Sequence, residues 1–233
     1  MLVTGASGFI GSHLRDRLLA DGRDVVSVRR PSSPPSSKGR SVEVDYGDAN
    51  SVKRAVDEVQ PTLIYHVAGA TNGITYEDFA QANVMPTEHL VQALEGSTAR
   101  FVLVSSLAAH GPSGKTPRTE DDPSEPVENY GKSKLAAEEL VAASSLESCI
   151  VQPGGVYGPR DGEYFEIFKL AARGLAVYFG NRKRTFSGIY VDDLIDLLVL
   201  VGHSKDAVGR SYFASDGAVV SWQQFTDEIG SAL

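Results

Sequence analysis

Apolar residues in this chain fall into short runs separated by longer stretches where they recur every three or four positions. Met1-Leu2-Val3, Asp24 to Val28, Ser41 to Val44, Leu63 to His66, Ala99 to Val104 and Ser148 to Gln152 read as strands. Between them, Ile10, Leu14 and Leu18 share one helical face. Val52, Ala55, Val56 and Val59 do the same from Ala49 to Gln60, where Pro61 stops the helix. Gly73 to Glu95 carries Phe79, Val84, Leu90, Val91 and Leu94 at helical spacing, with a kink expected at Pro86. A further helix opens at Tyr130 and runs to about Ser144. Alternating strands and helices predict an α/β fold, a parallel sheet wound on both faces.

After Asp161 the alternation weakens. A helix from Tyr164 to Arg173 is expected, then short strands at Val177-Tyr178-Phe179 and Thr185 to Val191. A helix follows from Val191 to about Val201 with Asp192 or Asp193 near its cap, and then a strand at Tyr212-Phe213-Ala214. In the last helix Ser221 caps and Gln224 completes a capping box. Residues 1–160 are expected to form one α/β unit, with residues 161–233 as a small part interleaved with it.

The chain has 233 residues, of which 42% are hydrophobic, enough for one large domain with its own core. The net charge of −8 argues against nucleic acid as a partner. No apolar run reaches the ~18 residues of a membrane span. The single cysteine, Cys149, excludes an intrachain disulfide and suits a cytoplasmic location; within Cys149-Ile150-Val151 it reads as a buried thiol. The first strand begins at once, so little precedes it that could be a leader.

Composition leaves the function open; Thr4-Gly5-Ala6-Ser7-Gly8-Phe9-Ile10-Gly11 narrows it. Gly5, Gly8 and Gly11 lie between a strand and a helix, the setting of a dinucleotide-binding turn. There Gly5 permits a tight turn, Gly8 lets backbone approach a pyrophosphate, and Gly11 lets helix pack on strand. The end of the next strand meets the adenosine ribose about 20 residues after the glycines. Here it offers Arg29 and Arg30 in place of an acid, within the loop 29–40, so NADP is expected over NAD. Tyr130 and Lys134 are four residues apart, on one face of a helix. A nearby ammonium is expected to lower the tyrosine pKa, letting it exchange a proton with a carbonyl or hydroxyl oxygen. The lysine can also hold the nicotinamide ribose, and Ser106 or Ser105 would polarise the same oxygen.

The glycine string resembles the T-G-x-x-G-F-x-G signature of extended short-chain dehydrogenases/reductases, whose fold is of Rossmann type. That family includes nucleotide-sugar epimerases and dehydratases, 3β-hydroxysteroid dehydrogenases and dihydroflavonol reductases. The resemblance implies cofactor contacts from Ser7, Phe9 and Ile10, from Asp45 and Tyr46 at the adenine, and from Val67, Ala68 and Gly69 after the fourth strand. Asn83, in Asn83-Val84-Met85-Pro86-Thr87, would bond buried backbone or a water near the site. Ser105, Tyr130 and Lys134 join the same list, with Pro153, Gly154, Gly155 and Val156 facing the nicotinamide. Gln152 stands in place of that turn's usual arginine. The family's spacing selects Ser106 as catalytic, although His110 replaces an aromatic residue beside Gly111. His66, inside an apolar strand, reads as packed.

The resemblance implies catalysis by Ser106, Tyr130 and Lys134, with no metal. Leu107-Ala108 replaces the Asp-Glu pair of 4,6-dehydratases, which disfavours that reaction. Arg184 could serve an epimerase's diphosphate, but two extra residues separate it from Val191-Asp192-Asp193. The end of the second strand and Ile189 to Leu194 look closer to the dihydroflavonol-reductase and hydroxysteroid-dehydrogenase branch. The expectation is an NADP-dependent carbonyl reductase or alcohol dehydrogenase acting on a small molecule, with a homodimer as candidate assembly. The alternatives are a nucleotide-sugar epimerase holding NAD and a non-catalytic NADP-binding sensor or scaffold. The resemblance implies that residues 1–160 are the dinucleotide-binding Rossmann domain and residues 161–233 the small substrate-binding region, which looks short beside typical family members.

Overall fold

The computed structural model describes residues 1–34, 38–114, 116–176, 178, 180–232. The first half reads β1 (Leu2–Thr4), α1 (Phe9–Ala20), β2 (Val26–Arg29), β3 (Arg40–Glu43), α2 (Ala49–Val59), β4 (Leu63–His66) and α3 (Tyr76–Phe79). A π turn (Ala80–Val84) leads into α4 (Met85–Ala93), β5 (Arg100–Val104), α5 (Leu107–His110) and α6 (Asn129–Ala143). Then come β6 (Glu147–Pro153), β7 (Gly155–Tyr157), α7 (Tyr164–Ala171), β8 (Thr185–Phe186) and β9 (Gly188–Tyr190). The chain ends with α8 (Val191–His203), β10 (Arg210–Ala214), β11 (Val220–Ser221) and α9 (Trp222–Ala232).

Seven strands form one parallel sheet in the order β10-β6-β5-β4-β1-β2-β3. Side chains on a strand alternate between faces, and the core follows that period. Leu2, Ile64, Phe101 and Leu103 pack with α2, α4 and α6 on one face. Val3, Tyr65, Val102 and Val104 pack with α1 and α8 on the other. The strand order reverses at β1, which pairs with both β2 and β4, so a crevice opens at their carboxyl ends.

Most expected elements lie within a few residues of their reading. The helix over 73–95 differs: it is α3, a π turn and α4 in succession. Pro86 therefore sits at the start of a new helix, where a missing N–H costs little, and the irregularity precedes it. Val191 to His203 is capped by Tyr190 backbone, with Asp192 and Asp193 in the first turn. Ser221 and Gln224 do form the capping box: Gln224 N–H donates to Ser221 Oγ at 3.2 Å, and Ser221 N–H donates to Gln224 Oε1 at 2.9 Å. The expected strand at Val177-Tyr178-Phe179, and Pro35, Ser36 and Ser37 of the basic loop, fall on or beside positions outside the described residues. Among the described residues, no helix is long and apolar enough to cross a membrane.

Candidate active site

A cavity of about 1150 Å³ runs along the crevice. One wall is the turn after β1. Gly5 has φ +66°, and a Cβ there would lie 2.7 Å from Ala68 N; one on Gly11 would lie 2.1 Å from the Gly5 carbonyl oxygen. Backbone alone fits, and the helix that follows starts at Gly8 without a side-chain cap. Its first N–H groups are left to a ligand, as a pyrophosphate requires. Ser7, Phe9 and Ile10 complete this wall. The cradle fits a dinucleotide.

At the adenosine end the lining includes Arg30, Ser32, Ser33, Asp45 and Tyr46. Arg29 is turned aside. Its guanidinium pairs with Glu43 of the neighbouring strand at 2.6 Å and donates to the Ser33 carbonyl oxygen at 3.2 Å. The two arginines the sequence treats alike thus face different ways, as alternation along a strand dictates.

Val67, Ala68 and Gly69 line the middle. They are held from below by Thr4, whose hydroxyl oxygen accepts from Val67 N–H and Ala68 N–H, both at 3.0 Å. Asn83 accepts from Ala70 N–H at 2.8 Å and donates to the Ala70 carbonyl and to Ser133 Oγ at 2.9 Å. Its side chain thus bonds backbone and α6 within the π turn. His66 is fully buried between Thr4 and Thr87.

At the far end, β5 delivers Ser105 and Ser106, and α6 delivers Tyr130 and Lys134; all four line the cavity. Ser106 caps α5 by accepting from Ala108 N–H at 3.1 Å, which orients its hydroxyl, and it is near enough to Tyr130 to draw the phenol's pKa down. Lys134, buried, donates to the Val104 carbonyl at 2.8 Å. Burial pulls its pKa down to about 8, against the pull of Glu138. Burial pushes Tyr130 up, Ser106 draws it back, and the Glu163 carboxylate adds to the rise. The expected lowering by Lys134 therefore does not dominate: Tyr130 is a protonated acid at neutral pH, because loss of water around the phenol outweighs the other effects. Pro153, Gly154, Gly155 and Val156 close this end.

Some neighbours had no signal in the sequence. Thr71, Asp78, Gln81, Glu163 and Tyr164 line the mouth, where Thr71 Oγ1 donates to Glu163 Oε1 at 3.2 Å. Behind the serines, Glu138 accepts from Ser105 and from Gln152. Glu138 could have been found as the next residue on the Tyr130-Lys134 face. His110, whose place beside Gly111 the sequence left without a role, is buried edge-on against Phe213 at 4.8 Å, with Ser124 Oγ 3.3 Å from its Nδ1. It packs the loop after α5. Arg184 is exposed and lies outside the cavity lining. Cys149 is buried, its thiol pushed up to about 11, so it is inert.

The pattern of the NAD dependent epimerase/dehydratase family matches residues 1–213. A ceramide reductase of Caulobacter vibrioides is 36% identical over 200 residues, covering 84% of this chain. The chain spans 59% of that relative's length. A UDP-glucose 4-epimerase of Mycolicibacterium smegmatis is 31% identical over 259 residues, covering all of this chain and 82% of that protein. Among solved structures, MoeE5 in complex with UDP-glucuronic acid and NAD superimposes with a TM-score of 0.85 at 28% identity. That match covers 99% of this chain and 81% of the other.

Proposed function

The chain belongs to the NAD-dependent epimerase/dehydratase family, and from that premise we propose an NADP-dependent oxidoreductase that reduces a carbonyl or, in reverse, oxidises a secondary alcohol. The observation that carries this is the convergence of Ser106, Tyr130 and Lys134 at one end of the cavity whose other end is lined by Arg30, Ser32 and Ser33.

In this reading the Ser106 and Tyr130 hydroxyls bond one substrate oxygen, which is thereby oriented and polarised. Tyr130, held protonated by burial, gives its proton to the carbonyl oxygen. The Lys134 ammonium offsets the phenolate left behind. Gly154 and Gly155 would face the nicotinamide of a bound cofactor, which would supply hydride chemistry. Gly5, Gly8, Gly11 and the first turn of α1 would hold its pyrophosphate, and Arg30 a 2′-phosphate.

A second reading is a nucleotide-sugar epimerase with NAD, supported by the full-length similarity to a UDP-glucose 4-epimerase. Against it stands Arg184, the candidate for the diphosphate, which is exposed and outside the lining. The ceramide reductase similarity supports the reductase branch. Incubation with NADPH and a panel of aromatic, steroidal and long-chain ketones, and separately with UDP- and GDP-sugars, distinguishes the two. Ketone-dependent NADPH oxidation supports the first reading, and sugar interconversion without net cofactor loss the second.

A further inference from the structure

Tyr130, Lys134 and Glu138 recur every four residues along α6 and share one helical face. The first two line the cavity; Glu138 is buried a turn behind them. Burial pushes its pKa up, and the side chains bonded to it, with Lys134 a turn away, pull it back down. The Ser105 hydroxyl donates from the end of β5, and the Gln152 amide of β6 donates to both oxygens, at 2.9 and 3.0 Å. The Gln152 amide nitrogen, which can only donate, faces both oxygens, and an ionised carboxylate accepts at both while a protonated one has a hydrogen on one of them. This donor set therefore fits a charged carboxylate in the interior, and buried charges persist when paired. The cation one turn away is Lys134, whose own bonded partner is a neutral carbonyl, Val104 O.

We propose that Glu138 is a positioning residue: its carboxylate is the counter-charge that keeps Lys134 an ammonium and, through Ser105, steadies the strand end that carries Ser106. The inference rests on the Ser-Tyr-Lys reading above. His66, facing Lys134 from β4, is neutral, because burial and the Lys134 charge push its pKa down to about 3. Tyr130 is a protonated phenol, and Glu139, the remaining acid acting on Glu138, is exposed. Among the described residues Glu138 is thus the buried charge available to Lys134. Gln152 suits this arrangement. A neutral amide satisfies the carboxylate without neutralising it, as an arginine at that position would.

The test is a lysine 13Cε NMR titration of the full chain, with Lys134→Met identifying the Lys134 resonance. The wild-type midpoint is expected at about 8. Glu138→Gln should lower it by about one pH unit or more, the scale of one lost opposite charge at this separation. Glu138→Asp, charged but one methylene shorter, should fall between. The alkaline limb of kcat/KM should move with each midpoint. A Glu138→Gln midpoint equal to or above the wild type overturns the proposal. If Glu138→Gln does not fold, a Glu138→Asp midpoint no lower than the wild type overturns it instead. The titration needs neither cofactor nor substrate. A shifted midpoint in a protein that reduces no ketone keeps the pairing and sinks the proposed reaction; an unshifted midpoint in an active reductase does the reverse.

Discussion

Thr4 Oγ1 lies 2.8 Å from His66 Nδ1, and that contact fixes the imidazole's tautomer. Both Thr4 lone pairs are taken by Val67 and Ala68 N–H, so the hydroxyl proton goes to Nδ1. Nε2 then carries the ring proton and donates to Thr87 Oγ1 at 3.0 Å, and Thr87 donates to the Asn83 carbonyl at 2.7 Å. One chain of bonds joins the glycine turn, β4 and the π turn through a neutral histidine. Its folded pKa of about 3 lies below the ordinary 6.5. The unfolded chain therefore binds the extra proton first, so this contribution to stability is complete above 6.5 and is lost as pH falls towards 3. Urea denaturation should show the wild type losing on the order of 3 kcal/mol more than His66→Gln between about pH 7 and about pH 4. Equal losses would mean that His66 is not held neutral.

Tyr130→Phe should cut turnover by at least ~10²-fold, the scale of a positioned proton donor, and leave cofactor affinity nearly unchanged. Lys134→Ala should weaken both. Steady-state kinetics with fluorescence titration of NADPH measure the two separately, and full turnover by the Phe variant would remove Tyr130 from the chemistry.

The two arginines after Val28 should separate. Arg30, in the lining, should carry the preference for NADPH over NADH, and Arg30→Ala should reduce that preference by about 10-fold or more, the worth of a charge-assisted bond. Arg29→Ala removes the pair with Glu43 and should leave the preference within about 3-fold, since a part-exposed ion pair serves mainly strand packing. Titrating both variants with both cofactors decides this.

Gly131 sits between Tyr130, the proposed proton donor, and the helix that Ser106 caps. A Cβ there would lie 2.2 Å from the Ala108 carbonyl oxygen, so α5 and α6 would have to separate. Gly131→Ala should cost about 1–3 kcal/mol of stability and lower kcat by displacing Ser106 from Tyr130. Denaturant titration and kinetics check it, and a variant of wild-type stability would show that the helices can yield.

Much of this was legible in the residues. Continuous apolar runs such as Phe101-Val102-Leu103-Val104 announce a strand buried on both faces, and the glycine triplet announces the turn, because each is local chemistry. The division between Arg29 and Arg30 was not legible, since it depends on the register of β2 against β3, which brings Glu43 opposite Arg29. The protonated state of Tyr130 is not legible for a related reason. Spacing along α6 shows the ammonium four residues on, but burial by distant segments outweighs it. The π turn has no signature in the sequence: Pro86 marks an irregularity, but the helix changes pitch before it, at Ala80–Val84.

The most direct test of the account follows NADPH and product together in one reaction with the purified protein. The account predicts oxidation of one NADPH for each ketone reduced, lost in Tyr130→Phe, with no interconversion of UDP- or GDP-sugars. Sugar interconversion without net cofactor oxidation, abolished by Arg184→Ala, would contradict it.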